Sequence, residues 1–212
     1  MFALPFEAGC FKRKSPVPCF VAGACGEAAV EALDRRLSEF PVPDLVISAG
    51  LAGGLDPQWH CADIVFADSS CPKLLARLAR HGITHPIVNV HTAGSIVATP
   101  REKRLLFESG AGSVCDMETR GIADLCARKS IRFLGVRAVS DDAREGIPVP
   151  PDLLLEGNPM RLVAHLVARP TRIPAFCRTV GDAGRARQAL ARALNALLTR
   201  AEDVPSGMLP GL

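Results

Sequence analysis

Two carboxylates, Glu118 and Asp141, stand at the ends of two different elements, and together they are the groups best placed to do chemistry. Asp116, Met117 and Glu118 close a short apolar strand and open a helix that runs to about Lys129. On that helix Ile122, Leu125 and Cys126 fall on one face, while Arg120, Asp124 and Arg128 form a polar stripe at i, i+4 and i+8. Ile131 to Val139 then reads as a buried strand, near-continuously apolar as strands covered on both faces are. It ends in Ser140-Asp141-Asp142. Ligands of open α/β sheets sit beyond the carboxyl ends of the strands, so Glu118 and Asp141 are expected to face one pocket. Singly, each carboxylate has a bland explanation: an acidic helix start favoured by the helix dipole, or an Asp turn cap. The pair is more informative than either member.

The elements that must position them follow from periodicity. Met1 to Leu4 and Pro18 to Ala24 read as strands, and Glu27 to Phe40 as a helix that buries Val30, Leu33 and Leu37 while Glu31, Asp34 and Arg35 face water. Asp44 to Ala49 is the clearest strand and runs into Gly50-Leu51-Ala52-Gly53-Gly54-Leu55, where glycines would let the backbone take positive φ and approach a ligand. The cluster is neither G-x-G-x-x-G nor G-K-[ST], which scores against dinucleotide and nucleoside triphosphate binding. Pro72 to Arg80 forms a short helix, Pro86 to His91 a strand, and Arg101 to Glu108 a charged helix. His91 at the strand end is expected to be structural. Beyond Asp142, Pro148, Pro150, Pro151, Pro159, Pro170 and Pro174 punctuate short helical pieces. Asp182 to Arg200 is a longer amphipathic helix with Leu190, Leu194, Leu197 and Leu198 on one side and Arg185, Arg192 and Arg200 on another.

At 212 residues the expectation is one domain over 1–202 with a loose tail over 203–212. The composition, 48% hydrophobic and 22% charged, is that of a globular protein. A net charge of +3 with no basic block argues against nucleic acid. The eight cysteines form no C-x-x-C pair and sit mostly in apolar runs, so reduced buried thiols are expected rather than disulfides or a metal site. Met1 to Phe11 lacks a basic leader and contains Glu7, and the longest uncharged apolar run, Leu45 to Leu55, is too short to span a bilayer. A cytoplasmic protein is the expectation.

D-M-E at 116–118, followed about twenty residues later by V-R-A-V-S-D at 136–141, resembles the nucleoside phosphorylase and nucleosidase superfamily. A-G-L-A-G-G-L at 49–55 with C-A-D-I-V at 61–65 is similar to the superfamily's glycine passage, with Ala62 in place of the usual Gly. The resemblance implies an α/β fold, a three-layer α-β-α sandwich around a central mixed β-sheet. It implies that Met117 and Glu118, with Asp116, hold the ribose and that Asp141 protonates the purine, with Asp142 as the fallback. It places Glu7, in A-L-P-F-E-A, where the nucleosidase branch activates water. Gly50 and Leu51 fall in the glycine passage, and Ser95, Ile96 and Val97 in a segment whose backbone recognises the base. Ser140 and Arg137 would orient the acid. Ser48 and Leu51 stand where the bacterial phosphorylase branch places a Ser and an Arg, which argues against a standard phosphate site. No cofactor is implied beyond inorganic phosphate as a co-substrate of the phosphorylase version.

Within the superfamily the chain is most similar to the hopanoid-associated phosphorylases, the adenosylhopane nucleosidases. A-G-L-A-G-G-L-D-P at 49–57, I-V-A-T-P-R-E-K at 96–103, C-D-M-E at 115–118 and I-P-V-P-P-D-L-L-L at 147–155 carry that likeness, as do the Arg169-Pro170 and Ile173-Pro174 pairs. Residues 67–86 lack the long insertion that many relatives use to wall the sugar's 5′ side. The resemblance therefore implies release of adenine from a 5′-substituted adenosine, adenosylhopane above all, by water or by phosphate. Val149, Leu153, Leu154 and Leu155 would line an open cleft for a lipid-linked nucleoside. Transient contact with a membrane surface and a homodimer complete the expectation. Two rivals stand beside it: a methylthioadenosine/S-adenosylhomocysteine nucleosidase, and a non-catalytic nucleoside-binding homologue.

Overall fold

The computed structural model describes residues 1–8, 19–67, 71–84, 86–155 and 158–198. Five strands, β1 (Leu45–Gly54), β2 (Ile64–Ala67), β3 (Val90–Thr92), β4 (Val114–Asp116) and β5 (Arg132–Asp141), form one sheet in the order β2-β5-β1-β4-β3. The sheet is mixed: β1 runs parallel to β5 and β3 to β4, while β2–β5 and β1–β4 are antiparallel. β5 is buried without a break from Phe133 to Val139, the mark of a strand covered on both faces.

Helices supply those covers. Leu33 and Leu37 of α2 (Glu27–Glu39) join Ile122, Leu125 and Cys126 of α5 (Thr119–Arg128) against Val46 and Phe133. On the opposite face, Leu75 and Leu78 of α3 (Pro72–Arg80) and Leu190, Leu194 and Leu197 of α8 (Ile173–Leu198) pack on Phe66, Leu134 and Val136. Phe133 and Leu134, adjacent in the chain, thus feed opposite layers, as the two-residue period of a strand requires. The expected three-layer arrangement is the observed one. No helix among the described residues is long and apolar enough to cross a membrane.

Several local expectations change. Met1–Leu4 and 18–24 do not form full strands; Phe2 and Val21 share one isolated bridge, and Ala49 N–H donates to the Met1 carbonyl at 2.9 Å. α1 (Pro5–Ala8) follows directly on the first of these segments. The strand expected over Pro86 to His91 is reduced to β3 and a bridge between Ile87 and Phe66. The last helix begins nine residues early, at Ile173, because Pro174 sits in its first turn, where a missing N–H costs nothing. Between these, α4 (Pro100–Glu108), α6 (Pro151–Leu155) and α7 (Pro159–Ala168) complete the chain. Cys71, Cys115 and Cys126 are buried but Cys177 is exposed. Cys10, Arg200 and the tail over 203–212 lie outside the described residues, as does the Leu155 side chain.

The glycine passage behaves differently from expectation. Gly50, Gly53 and Gly54 are strand residues of β1, none with positive φ. What they provide is clearance. A Cβ on Gly53 would stand 3.2 Å from Cys115 Sγ and 3.4 Å from Asp141 Oδ2, and one on Gly54 3.2 Å from the Asp141 carbonyl oxygen. The positive φ falls instead on Ala62, at 77°. Its turn is pinned by Ala62 N–H to the Val139 carbonyl at 2.8 Å and by Val139 N–H to the Asp63 carbonyl at 2.9 Å. An L-residue in the left-handed region costs about 1–2 kcal/mol, offset in part by the ~0.5–1 kcal/mol of extra chain entropy a glycine loses. Ala62→Gly should therefore stabilise the protein by about 0.5–1 kcal/mol, raising Tm by a few degrees in a thermal melt. A lowered Tm would contradict the strain at Ala62.

Candidate functional site

The carboxyl end of β4 shows how the sequence frees an acid for use. Asp116 turns back onto the head of α5, accepting from Thr119 N–H at 3.2 Å and from the Thr119 hydroxyl. Asp116 thereby satisfies the helix's open N–H, so Glu118, at the N-cap position, makes no cap of its own. Its carboxylate instead accepts from Gly26 N–H at 2.9 Å, where Gly26 holds φ 61°. Burial raises the Glu118 pKa above the ordinary range even though that N–H bond works against the shift. Cys25 lies beside it, its thiol pushed up to about 11 by burial and by the Glu118 charge, so that it stays protonated and hydrogen-bonds Glu118.

Asp116 has a second anchor. Arg137 of β5, 2% exposed, donates from Nε to Asp116 Oδ2 at 2.7 Å, from Nη1 to the Ser48 carbonyl at 2.8 Å and from Nη2 to Ser48 Oγ at 3.0 Å. Burial pushes the Asp116 carboxyl upward, but the guanidinium and the Thr119 bonds outweigh it and hold the pKa below the ordinary range. Arg137 therefore does not orient Asp141, contrary to expectation. Its guanidinium is directed to β4 and β1; strand alternation alone would put residues 137 and 141 on one face, and the bulge at Ser140 breaks that alternation.

At the end of β5 the β1 register slips: Ala52 pairs with Val139 but Gly53 with Asp141, leaving Ser140 as the extra residue of a bulge. Bulges re-aim side chains at sheet ends, and here Asp141 enters the cavity rim. Ser140 Oγ lies 2.6 Å from Asp141 Oδ1 and 3.2 Å from the Ala52 carbonyl oxygen. Asp142, the fallback, accepts from Cys61 N–H at 2.8 Å and does not line the cavity described below.

Sequence reasoning missed Lys103. It is 0% exposed, and its ammonium meets Asp141 Oδ2, the Asp142 carbonyl at 2.7 Å and the Glu145 carbonyl at 3.0 Å. Thr99 and Glu102 form a capping box at the start of α4 and fix its first turn. In the folded chain Lys103 and Leu106, three apart, point inward on a helix whose other residues are exposed, a distinction that the sequence of α4 alone does not show.

Glu7, carried by α1, reaches the same place from the opposite side. Its Oε1 accepts from Leu51 N–H at 3.0 Å and its Oε2 from Leu4 N–H at 3.0 Å. Gly50 does not line the cavity but makes this approach possible, since a Cβ there would stand 2.8 Å from Glu7 Oε1.

A cavity of about 280 Å³ joins these groups. Glu7, Cys25, Asp116, Met117, Glu118, Ser140 and Asp141 line it, with Leu51, Ser95, Ile96 and Val97. Of the proline-rich segment, Ile147 and Leu154 reach it, whereas Val149 is core. Leu153 and His91 do not line it. Four carboxylates face this space, and among the described residues no Lys, Arg or His lines it. Arg137 pairs with Asp116 and Lys103 with Asp141, both from outside the cavity lining. The described residues hold no cluster of three or more His, Cys, Asp or Glu placed to bind a metal.

The phosphorylase superfamily model matches residues 69–169. No curated protein matches the chain. Among solved structures, the Helicobacter pylori futalosine hydrolase aligns with TM-score 0.65 at 14% identity, covering 92% of this chain and 94% of that one. The Helicobacter pylori 5′-methylthioadenosine/S-adenosylhomocysteine nucleosidase gives the same figures. The S. pneumoniae 5′-methylthioadenosine/S-adenosylhomocysteine nucleosidase aligns with TM-score 0.60 at 15% identity, over 93% and 96% of the two chains. The fold is nucleoside phosphorylase-like. In this nucleoside phosphorylase-like frame the cavity lies at the strand ends, where the sheet opens.

Gly50→Ala tests the Glu7 geometry. The new methyl displaces only the far end of a flexible side chain, so Tm should fall by no more than a few degrees, about 1–2 kcal/mol. In the nucleosidase reading proposed below, turnover of a nucleoside should fall about 10²-fold, the usual scale for a misplaced catalytic group. Wild-type turnover would mean that Glu7's position is immaterial.

Proposed function

We propose that the protein is a nucleosidase that cleaves the N-glycosidic bond of a 5′-substituted adenosine with water, releasing adenine. The observation that carries this reading is the convergence of Glu7, Glu118 and Asp141 on one cavity that no cationic side chain lines among the described residues. A site of this charge favours a developing sugar cation and disfavours phosphate, which needs cations or a ring of N–H donors. The names of the structural relatives, a hydrolase and nucleosidases, agree with water as the acceptor.

In this reading the ribose lies against Met117, with its hydroxyls donating to Glu118, and the base lies along Ala93 to Val97. A proton passes from Asp141 to the purine as the bond between C1′ and the base nitrogen breaks. Water adds its oxygen to C1′ and gives its proton to Glu7. Charge on Glu118 and Glu7 stabilises the oxocarbenium-like sugar between these events.

For the 5′ substituent we propose a large apolar group, with adenosylhopane as the substrate and hopanoid biosynthesis as the setting. Leu4, Ile147 and Leu154 supply apolar lining, and the 67–86 stretch of the sequence is short. A lipid-linked substrate entails transient contact with a membrane surface. α7 has no buried residue and leaves Met160 75% and Val167 71% exposed, beside the exposed Arg161 and Arg169. The working form in this reading is a homodimer.

Adenine release from a panel of 5′-substituted adenosines tests the reading, with apolar 5′ groups expected to be turned over best. Asp141→Asn should lose about 10²–10⁴-fold in kcat with KM little changed, because it keeps the shape but not the proton. Near-normal turnover by that variant would remove Asp141 from the mechanism. No adenine release from any member by the wild type would leave a nucleoside-binding protein without turnover.

A further inference from the structure

We propose that Lys103 is a positioning residue of this reaction, one that fixes which oxygen of Asp141 carries the proton and sets the pH range over which it does so. The proposal rests on the reading of Asp141 as the general acid. Its basis is the division of labour around that carboxylate. Oδ2 is taken by the Lys103 ammonium, whose other two protons go to the Asp142 and Glu145 carbonyls. All three N–H bonds are used, so Lys103 is held as the cation and has no freedom to turn toward the cavity.

Oδ1 is the oxygen left to hold a proton, because an oxygen against an ammonium is the poorer base of the two. Ser140 accommodates both states of Oδ1. When Asp141 is ionised, Ser140 Oγ donates to Oδ1 at 2.6 Å; when Oδ1 is protonated, the hydroxyl has the Ala52 carbonyl at 3.2 Å as its other acceptor. Transfer of the Oδ1 proton to the purine leaves a carboxylate whose charge Lys103 already compensates. Lys103 thus orients Asp141 without touching substrate.

The other charged or titratable groups around Asp141 do not supply this effect. Cys115 of β4 is a thiol pushed up to about 12, by burial first and then by Asp141, and stays neutral. Asp116 is paired with Arg137, and Asp142 is bonded to Cys61 N–H. Glu7 and Glu118, from α1 and the head of α5, line the same cavity and bring no positive charge to Asp141. Lys103 is the cation that contacts it.

The pH dependence of kcat/KM for adenine release from a 5′-alkyl adenosine should be measured for wild type, Lys103→Met, Lys103→Arg and Asp141→Asn. An opposite charge lowers a carboxyl pKa, so removing it raises that pKa and extends the protonated form to higher pH. Lys103→Met should move the alkaline limb up by about one pH unit or more and lower kcat about tenfold or more, with KM nearly unchanged. Lys103→Arg should keep the limb near its wild-type position. A Lys103→Met protein with reduced activity but an unmoved limb overturns the proposal, since that is what a purely structural lysine would give. Should that variant fail to fold, Lys103→Gln is measured in its place, and the same two outcomes support or overturn the proposal. Turnover retained by Asp141→Asn overturns the general-acid reading and this proposal with it. Loss in Asp141→Asn alongside an unmoved Lys103→Met limb overturns this proposal alone.

Discussion

The ion pair between Arg137 and Asp116 is the contact on which the site's geometry depends. It joins β5 to β4 at 2.7 Å with both side chains removed from water, and through Ser48 it also ties in β1. A buried pair of this kind contributes little net stability over an apolar replacement, because desolvation offsets attraction. Breaking it is another matter, since a lone buried charge costs about 3–5 kcal/mol. Its value is therefore one of register. Three strands that end at the cavity are held at fixed heights, and Asp116, anchored from behind, satisfies the head of α5 so that Glu118 need not.

Electrostatic accounting inside the cavity follows from that arrangement. The two buried cations are each bound to one acid, Arg137 to Asp116 and Lys103 to Asp141. Glu118 is left in a buried setting that raises its pKa, and it shares its surroundings with the protonated thiol of Cys25. The result is an acidic pocket with fixed dipoles behind it. Such a pocket is suited to positive charge that develops on a sugar, and it needs no reorganisation when that charge appears.

Much of this was legible in the sequence, for definite reasons. β1, β5, α2, α3 and α5 announce themselves through period and length, and the burial of Phe133 to Val139 matches a strand read as two-sided. D-M-E and S-D mark strand ends, and both lie on the cavity. What stayed hidden depends on contacts between distant segments. Nothing local distinguishes Lys103 from the other basic residues of α4 until the 141–146 turn is folded over it. Arg137 was read toward Asp141, four residues away in sequence, when its partner is Asp116, on another strand. The glycines of β1 suggested backbone freedom, whereas their use is to admit Glu7 and Asp141.

The central claim is that an acidic cavity directs water, not phosphate, to C1′. Mass spectrometry of the sugar product formed from a 5′-alkyl adenosine in phosphate buffer tests it most directly. The account predicts the free 5′-substituted pentose together with adenine, at a rate indifferent to phosphate. A pentose 1-phosphate whose formation depends on phosphate would contradict it.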